Sequence, residues 1–181
     1  HKPTSIENLT KSKSDIKILD FLKDLYILDI LKSKSRKYQA LKLKYDLEEI
    51  LSYLDFSLTR SQLLALKEIL ADCDKDYSFN RLLIGDVGSG KTIIAVILMI
   101  IFAINGYQSA MLNPTELLAS QHYNKNIDLF EKFRLKVSLL TGSTRNKDKL
   151  KEDLKNGDFD ILIGTHAIIE EDVKFKNIKL A

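Results

Sequence analysis

The eight residues Gly85-Asp86-Val87-Gly88-Ser89-Gly90-Lys91-Thr92 constrain this chain more than any other stretch. They satisfy G-x-x-x-x-G-K-[ST] at every fixed position. They stand between a short apolar stretch, residues 81–84, and a long one, residues 93–104. Strand, glycine-rich turn, then helix is the context in which the pattern has physical content. Glycines let the backbone curl so that successive N–H groups face inward, and the helix that follows adds the partial positive charge of its N-terminus. The expected ligand is a polyphosphate. Gly85, Asp86, Val87, Gly88, Ser89 and Gly90 form the cradle, Lys91 reaches the β- and γ-phosphates, and the Thr92 hydroxyl sits on a magnesium ion. A chance glycine-rich turn is the competing reading.

The surrounding pattern predicts an α/β fold. Thr59 is a good N-cap for a helix over residues 60–71. A strand over 81–84 precedes the loop, and a helix over 90–105 follows it. Then come a strand over 108–112, a helix over 115–133, a strand over 136–140, a helix over 147–155 closed by Asn156-Gly157, and a strand over 159–163. Such alternation makes an open parallel sheet covered by helices, with right-handed crossovers. The apolar run 93–104 has 12 residues, short of the roughly 20 that span a bilayer, so it reads as a buried helix. Upstream, residues 1–14 are a polar lead-in. Residues 15–33 form a helix with a wide apolar face that includes Ile16, Leu19, Leu22, Tyr26 and Ile30. Residues 33–37 are a basic hinge, and 46–54 a second, shorter helix. The expected division is a helical linker over 1–55 and a nucleotide-binding domain over 56–181.

Charge and cysteine content narrow the functional classes. The net charge is +3, with 28 Lys and Arg against 25 Asp and Glu. Residues 1–60 hold 12 basic and 9 acidic side chains, and residues 61–181 hold 16 of each, so the excess lies upstream. This fits contact with nucleic acid, but equally a set of solvated Lys-rich helix faces. The single cysteine, Cys73, excludes an internal disulfide and a multi-cysteine zinc site, and its neighbours Asp72 and Asp74 discourage a thiolate. The start, His1-Lys2-Pro3-Thr4, has no apolar signal core, and a cytoplasmic location is the simplest expectation. His122 and His166 lack a second ligand at zinc spacing. Guanine recognition by Asn-Lys-x-Asp is unsupported, since Asn124-Lys125-Asn126-Ile127 and Asn146-Lys147-Asp148-Lys149 both lack the final Asp.

Further stretches stand in helicase order. Phe56-Ser57-Leu58-Thr59-Arg60-Ser61-Gln62 ends 23 positions before Gly85 and resembles a Q-motif. Pro114-Thr115-Glu116-Leu117-Leu118-Ala119-Ser120-Gln121-His122 resembles helicase motif Ia. Thr141-Gly142-Ser143 resembles the strand-end motif that follows it, and Gly164-Thr165-His166-Ala167 resembles motif Ic. Together these resemble the RecG family, branched-DNA helicases of superfamily 2, with the transcription-repair coupling factor as a near relative. The resemblance is detailed over residues 56–181. It implies a RecA-like N-terminal motor lobe that uses ATP and Mg2+, with Phe56 and Gln62 at the adenine. It also implies that Pro114, Thr115, Glu116, Thr141, Gly142, Ser143, Gly164, Thr165 and His166 lie along a DNA-backbone track. The whole protein would couple ATP hydrolysis to translocation on duplex DNA and remodel stalled forks and Holliday junctions, as a monomer. Thr115, Thr144 and Thr165 also stand where helix caps are wanted, a role compatible with phosphate contact.

One departure matters. In the family an apolar strand ending in Asp-Glu anchors magnesium, and this chain stops inside that strand, at Leu180-Ala181. Glu170, Glu171 and Asp172 do not end an apolar strand and substitute poorly for the pair. The second motor lobe with its arginine finger, and the wedge that grips the junction, are not in these residues. The expectation is a partial lobe that binds ATP or ADP weakly, hydrolyses it little, and exposes a sheet edge open to pairing with another chain. Two other readings stand beside it. One is a nucleotide-binding module without a DNA role. The other is a small-molecule kinase, which needs an Arg-rich lid where residues 140–181 hold only Arg145.

Overall fold

The computed structural model describes residues 40–76 and 79–181. The expected lead-in, the helix over 15–33 and the hinge over 33–37 lie outside them. The chain divides into two compact units. One, residues 1–40 and 75–79, is described only at Ala40, Lys75, Asp76 and Phe79, where the Ala40 N–H donates to Asp76 Oδ1 at 3.3 Å. The other, residues 41–74 and 80–181, carries all that follows.

Its helices begin where side chains can satisfy free N–H groups. Asp46 caps α1, Leu47–Ser52, by accepting from the Glu49 N–H at 3.1 Å. A capping box opens α2, Arg60–Cys73: Thr59 Oγ1 accepts from the Gln62 N–H, and Gln62 Oε1 accepts from the Thr59 N–H. Helix α3, Lys91–Ile104, is apolar on every side beyond its first turn, and Val96 to Ala103 are all buried. A helix of that composition belongs between layers. Thr115 Oγ1 caps α4, Glu116–Lys132, at Leu118 N. Helix α5, Lys147–Asn156, ends at Gly157 with φ +85°, as the Asn-Gly pair predicts.

The strands β1, Gln108–Leu112, β2, Val137–Leu140, β3, Ile161–Gly164, and β4, Ile178–Leu180, form one sheet in the order β2-β3-β1-β4, parallel throughout. Ala110, Leu140 and Leu162 pack with Leu154 of α5 and with Ala167 and Ile168 of a 3-10 turn, His166–Ile169. Ile161 and Ile163 alternate to the opposite face, the side of α3 and α4. Buried Gln108 pins the far end of the sheet. Its Nε2 donates to Leu154 O at 2.9 Å and Phe159 O at 2.8 Å, and its Oε1 accepts from the Asn177 N–H at 2.9 Å. Among the described residues no helix is long and apolar enough to cross a membrane.

One expected element is absent. Residues 81–84 form no strand, and Leu82 and Ile84 are 84% and 83% exposed. A strand exists only where a neighbour offers a ladder of backbone hydrogen bonds. The sheet edge at β4 is three residues long and pairs only with β1. The segment is held instead by Arg81, whose Nε donates to the Asp72 carboxylate and whose Nη1 donates to Glu68 Oε2 at 3.4 Å.

Candidate nucleotide-binding site and adjoining strand ends

The glycine-rich loop runs directly into the first turn of α3. Gly88 and Gly90 have φ of +81° and +80°, the left-handed region that favours glycine. At Gly90 a second constraint applies, because a Cβ there would lie 2.2 Å from Gln62 Nε2. The Lys91 ammonium sits inside the curl, donating to Gly85 O at 2.7 Å, Asp86 O at 2.6 Å and Ser89 Oγ at 3.4 Å. Thr92, next on α3, is exposed.

Gln62 reaches the loop from α2. Its Oε1 serves the capping box, and its Nε2 donates to Ser89 O at 2.8 Å. Both halves of the amide are therefore engaged by the protein's own backbone. A cleft of about 500 Å³ is lined by Phe56, Ser57, Thr59 and Gln62 on one side and Gly88, Gly90, Lys91, Thr92 and Ile93 on the other, with Lys125 of α4 also on its wall. Phe56 is half-exposed there. A glycine cradle at a helix start, a lysine inside it and an aromatic ring across the cleft fit a purine nucleotide. Thr92, Ser57 and Thr59 bring side-chain hydroxyls to the cleft wall. No cluster of three or more His, Cys, Asp or Glu suited to a metal exists among the described residues.

The other three sequence motifs meet at the C-terminal edge of the sheet, where Leu112, Gly164 and Leu140 stand in register. Gly164 is obligatory: a Cβ would lie 1.9 Å from Leu140 O. Asn113 N–H donates to Gly164 O at 2.7 Å, and Thr165 N–H to Leu140 O at 3.1 Å. Glu116 bridges two motifs. Its Oε1 accepts from the Ser143 N–H at 3.2 Å and its Oε2 from Ser143 Oγ at 2.7 Å. Pro114, Thr115, Gly142, Ser143 and His166 are exposed along this edge. Thr141 is buried, its hydroxyl against those of Ser143 and Thr144.

Of Thr115, Thr144 and Thr165, only Thr115 caps a helix through its side chain; Thr165 precedes the 3-10 turn without such a bond, and Asn146 occupies the N-cap of α5. Glu170 and Asp172 pair with Lys151 Nζ of α5 at 3.0 and 2.7 Å. The hydrogen bond from Lys151 holds the Asp172 carboxyl below its ordinary range. Sequence reasoning missed Lys125, Asn113 and Gln108. Lys125 lies in no motif, and the only signal for it is its position seven residues before Lys132 on one helix.

A parallel sheet flanked by helices, with this loop at the start of α3, defines the class: a P-loop nucleotide-binding lobe of RecA-like build. Residues 59–181 match the family described as DEAD/DEAH box helicase, and the chain belongs to that family. It is 39% identical over 186 aligned positions to the ATP-dependent DNA helicase RecG of Bacillus subtilis, covering 99% of this chain and 27% of that protein. The RecG of Thermotoga maritima is 39% identical over 189 positions, 99% of this chain and 24% of that protein. A solved structure of RecG bound to a three-way DNA junction superposes with a TM-score of 0.80 at 37% identity, over 99% of this chain and 26% of that one. The chain thus spans about a quarter of the length of these relatives.

Proposed function

We propose that this chain is the nucleotide-binding lobe of a RecG-like, ATP-dependent DNA helicase whose whole protein remodels branched DNA such as stalled forks and Holliday junctions. The observation that carries the reading is the cleft. Phe56 and Gln62 line it together with Gly88, Gly90, Lys91 and Thr92, and we assign the first two to the base and the rest to the phosphates. Adenine stacks beside Phe56 and pairs with the Gln62 amide once that amide turns from its present partners. Backbone amides of residues 85–92 and the Lys91 ammonium take the phosphates, and Thr92 holds Mg2+. Gly142, Ser143, Thr165 and the first turn of α4 contact DNA phosphates without reading bases.

Phosphoryl transfer depends on charge stabilisation. We expect these residues to bind a nucleotide and to contribute to phosphoryl transfer through Lys91 and Thr92. Titrating MgADP and a short duplex at rising salt tests the reading. Binding of both, with DNA affinity falling steeply as salt rises, is expected. MgADP binding without DNA binding at low salt favours a nucleotide-binding module instead. Loss of MgADP binding in Lys91→Ala is expected, and unchanged binding in that variant counts against the loop as the phosphate site.

A further inference from the structure

Lys125 has no hydrogen bond or ion pair among the described residues, yet it lines the same cleft as Phe56, Gln62 and Lys91. It comes from α4, an element that contributes nothing to the loop, the capping box or the aromatic position. Its neighbour on the same face explains how it arrives there. Lys132 lies seven residues on, two helical turns at about 3.6 residues each. Lys132 Nζ donates to Tyr53 O at 3.5 Å and sits 5.8 Å from the Tyr53 ring, while that ring meets Phe133 edge-on at 5.0 Å. These contacts lay the segment after α1 along the C-terminal part of α4. Two turns back, the same face carries Lys125 to the point where the segment reaches Phe56. Lys132 is used up in holding the chain, and Lys125 is not.

An ammonium has three donors and no acceptor. At the wall of the cleft assigned above to an adenine nucleotide, its partners are acceptor atoms of the ligand, and a lysine on a separate element from Lys91 suits those of the base and ribose. We propose that Lys125 is a nucleotide-contacting residue that meets the base and sugar end of the ligand, opposite the end held by Lys91. This rests on the adenine-nucleotide reading of the cleft and adds a third structural element to it.

The test uses the whole chain, with MgADP and magnesium pyrophosphate titrated against wild type, Lys125→Ala, Lys125→Arg and Lys91→Ala. Lys125→Ala should weaken MgADP by roughly tenfold, as expected for loss of one hydrogen bond to a charged donor. It should leave pyrophosphate unchanged and leave thermal unfolding unchanged, because the side chain holds nothing in the fold. Lys125→Arg should retain most of the affinity, and Lys91→Ala should weaken both ligands. MgADP affinity within twofold of wild type in Lys125→Ala overturns the proposal, and so does equal loss of pyrophosphate, which would place the ammonium on the phosphates. Absence of MgADP binding by wild type overturns the nucleotide reading itself and this inference with it.

Discussion

Gln62 joins two elements through one amide: Nε2 donates to Ser89 O and Oε1 accepts from the Thr59 N–H, both at 2.8 Å. The nucleotide loop is thereby tied to the first turn of α2. Two substitutions separate the two bonds. Gln62→Ala removes both, costing about 1 kcal/mol for the cap, and weakens MgADP. Gln62→Glu keeps the acceptor for Thr59 but sets an oxygen against the Ser89 carbonyl. It should therefore keep the cap's share of stability, lose that of the Ser89 bond, and lose MgADP affinity. Equal melting losses in both variants would show that the tie to Ser89, rather than the cap, dominates stability.

Gly90→Ala should be more damaging than either. The new Cβ meets Gln62 Nε2 at 2.2 Å, and φ of +80° strains any L side chain. The expected cost is about 1–3 kcal/mol, read by denaturant unfolding, together with loss of MgADP binding. Gly88→Ala shares the φ strain but meets nothing within 4 Å. It should cost less, and the difference between the two variants measures the contact with Gln62.

Glu116 and Ser143 should be coupled energetically. A double-mutant cycle with Glu116→Ala and Ser143→Ala is expected to give an interaction of about 0.5–1 kcal/mol, since both groups are exposed. On the proposed reading Ser143 faces a DNA phosphate, so removing the carboxylate should strengthen duplex binding at low salt. Weaker binding by Glu116→Ala in a fluorescence anisotropy titration would instead make the carboxylate a support for the Ser143 loop.

The buried Cys73 thiol is pushed up from 9.0 to about 11, first by desolvation and then by Asp74 and Asp72. The fold therefore favours the protonated thiol. That contribution is whole below pH 9.0 and is lost as pH rises through about 11. Cys73→Ser should flatten the decline in stability across this window. In the folded chain at neutral pH, alkylation by iodoacetamide should be slow and should accelerate on unfolding.

Gly164→Ala sets a Cβ 1.9 Å from the Leu140 carbonyl, so β2 and β3 could not keep their spacing. Loss of more than about 3 kcal/mol, or failure to fold, is expected. Circular dichroism and thermal unfolding of the variant check it.

How far the sequence carried can be seen at individual residues. The limits of β1, the Thr59 cap and the Gly157 stop all follow from local chemistry, and each holds. The helix over 115–133 is likewise α4 with its two caps. The failure at residues 81–84 is of another kind. Their apolar pattern is that of a strand, but pairing is not a property of the segment that pairs. Gln62 shows a similar limit. Its position near the loop was readable, but its bond to Ser89 O depends on how α2 packs against α3.

The sequence by itself determined the loop and its helix, because glycines with positive φ, a lysine and a fully apolar run leave the backbone few alternatives. It also determined that parallel strands would alternate with helices. Only the tertiary structure decided which motifs meet. Leu112, Gly164 and Leu140 end in register because β3 lies between β1 and β2, and Lys125 of α4 lines one cleft with Phe56 and Lys91. Those are contacts between residues far apart in the chain. Local periodicity carries no information about them, since their energy is gained only when separate elements bury surface against each other.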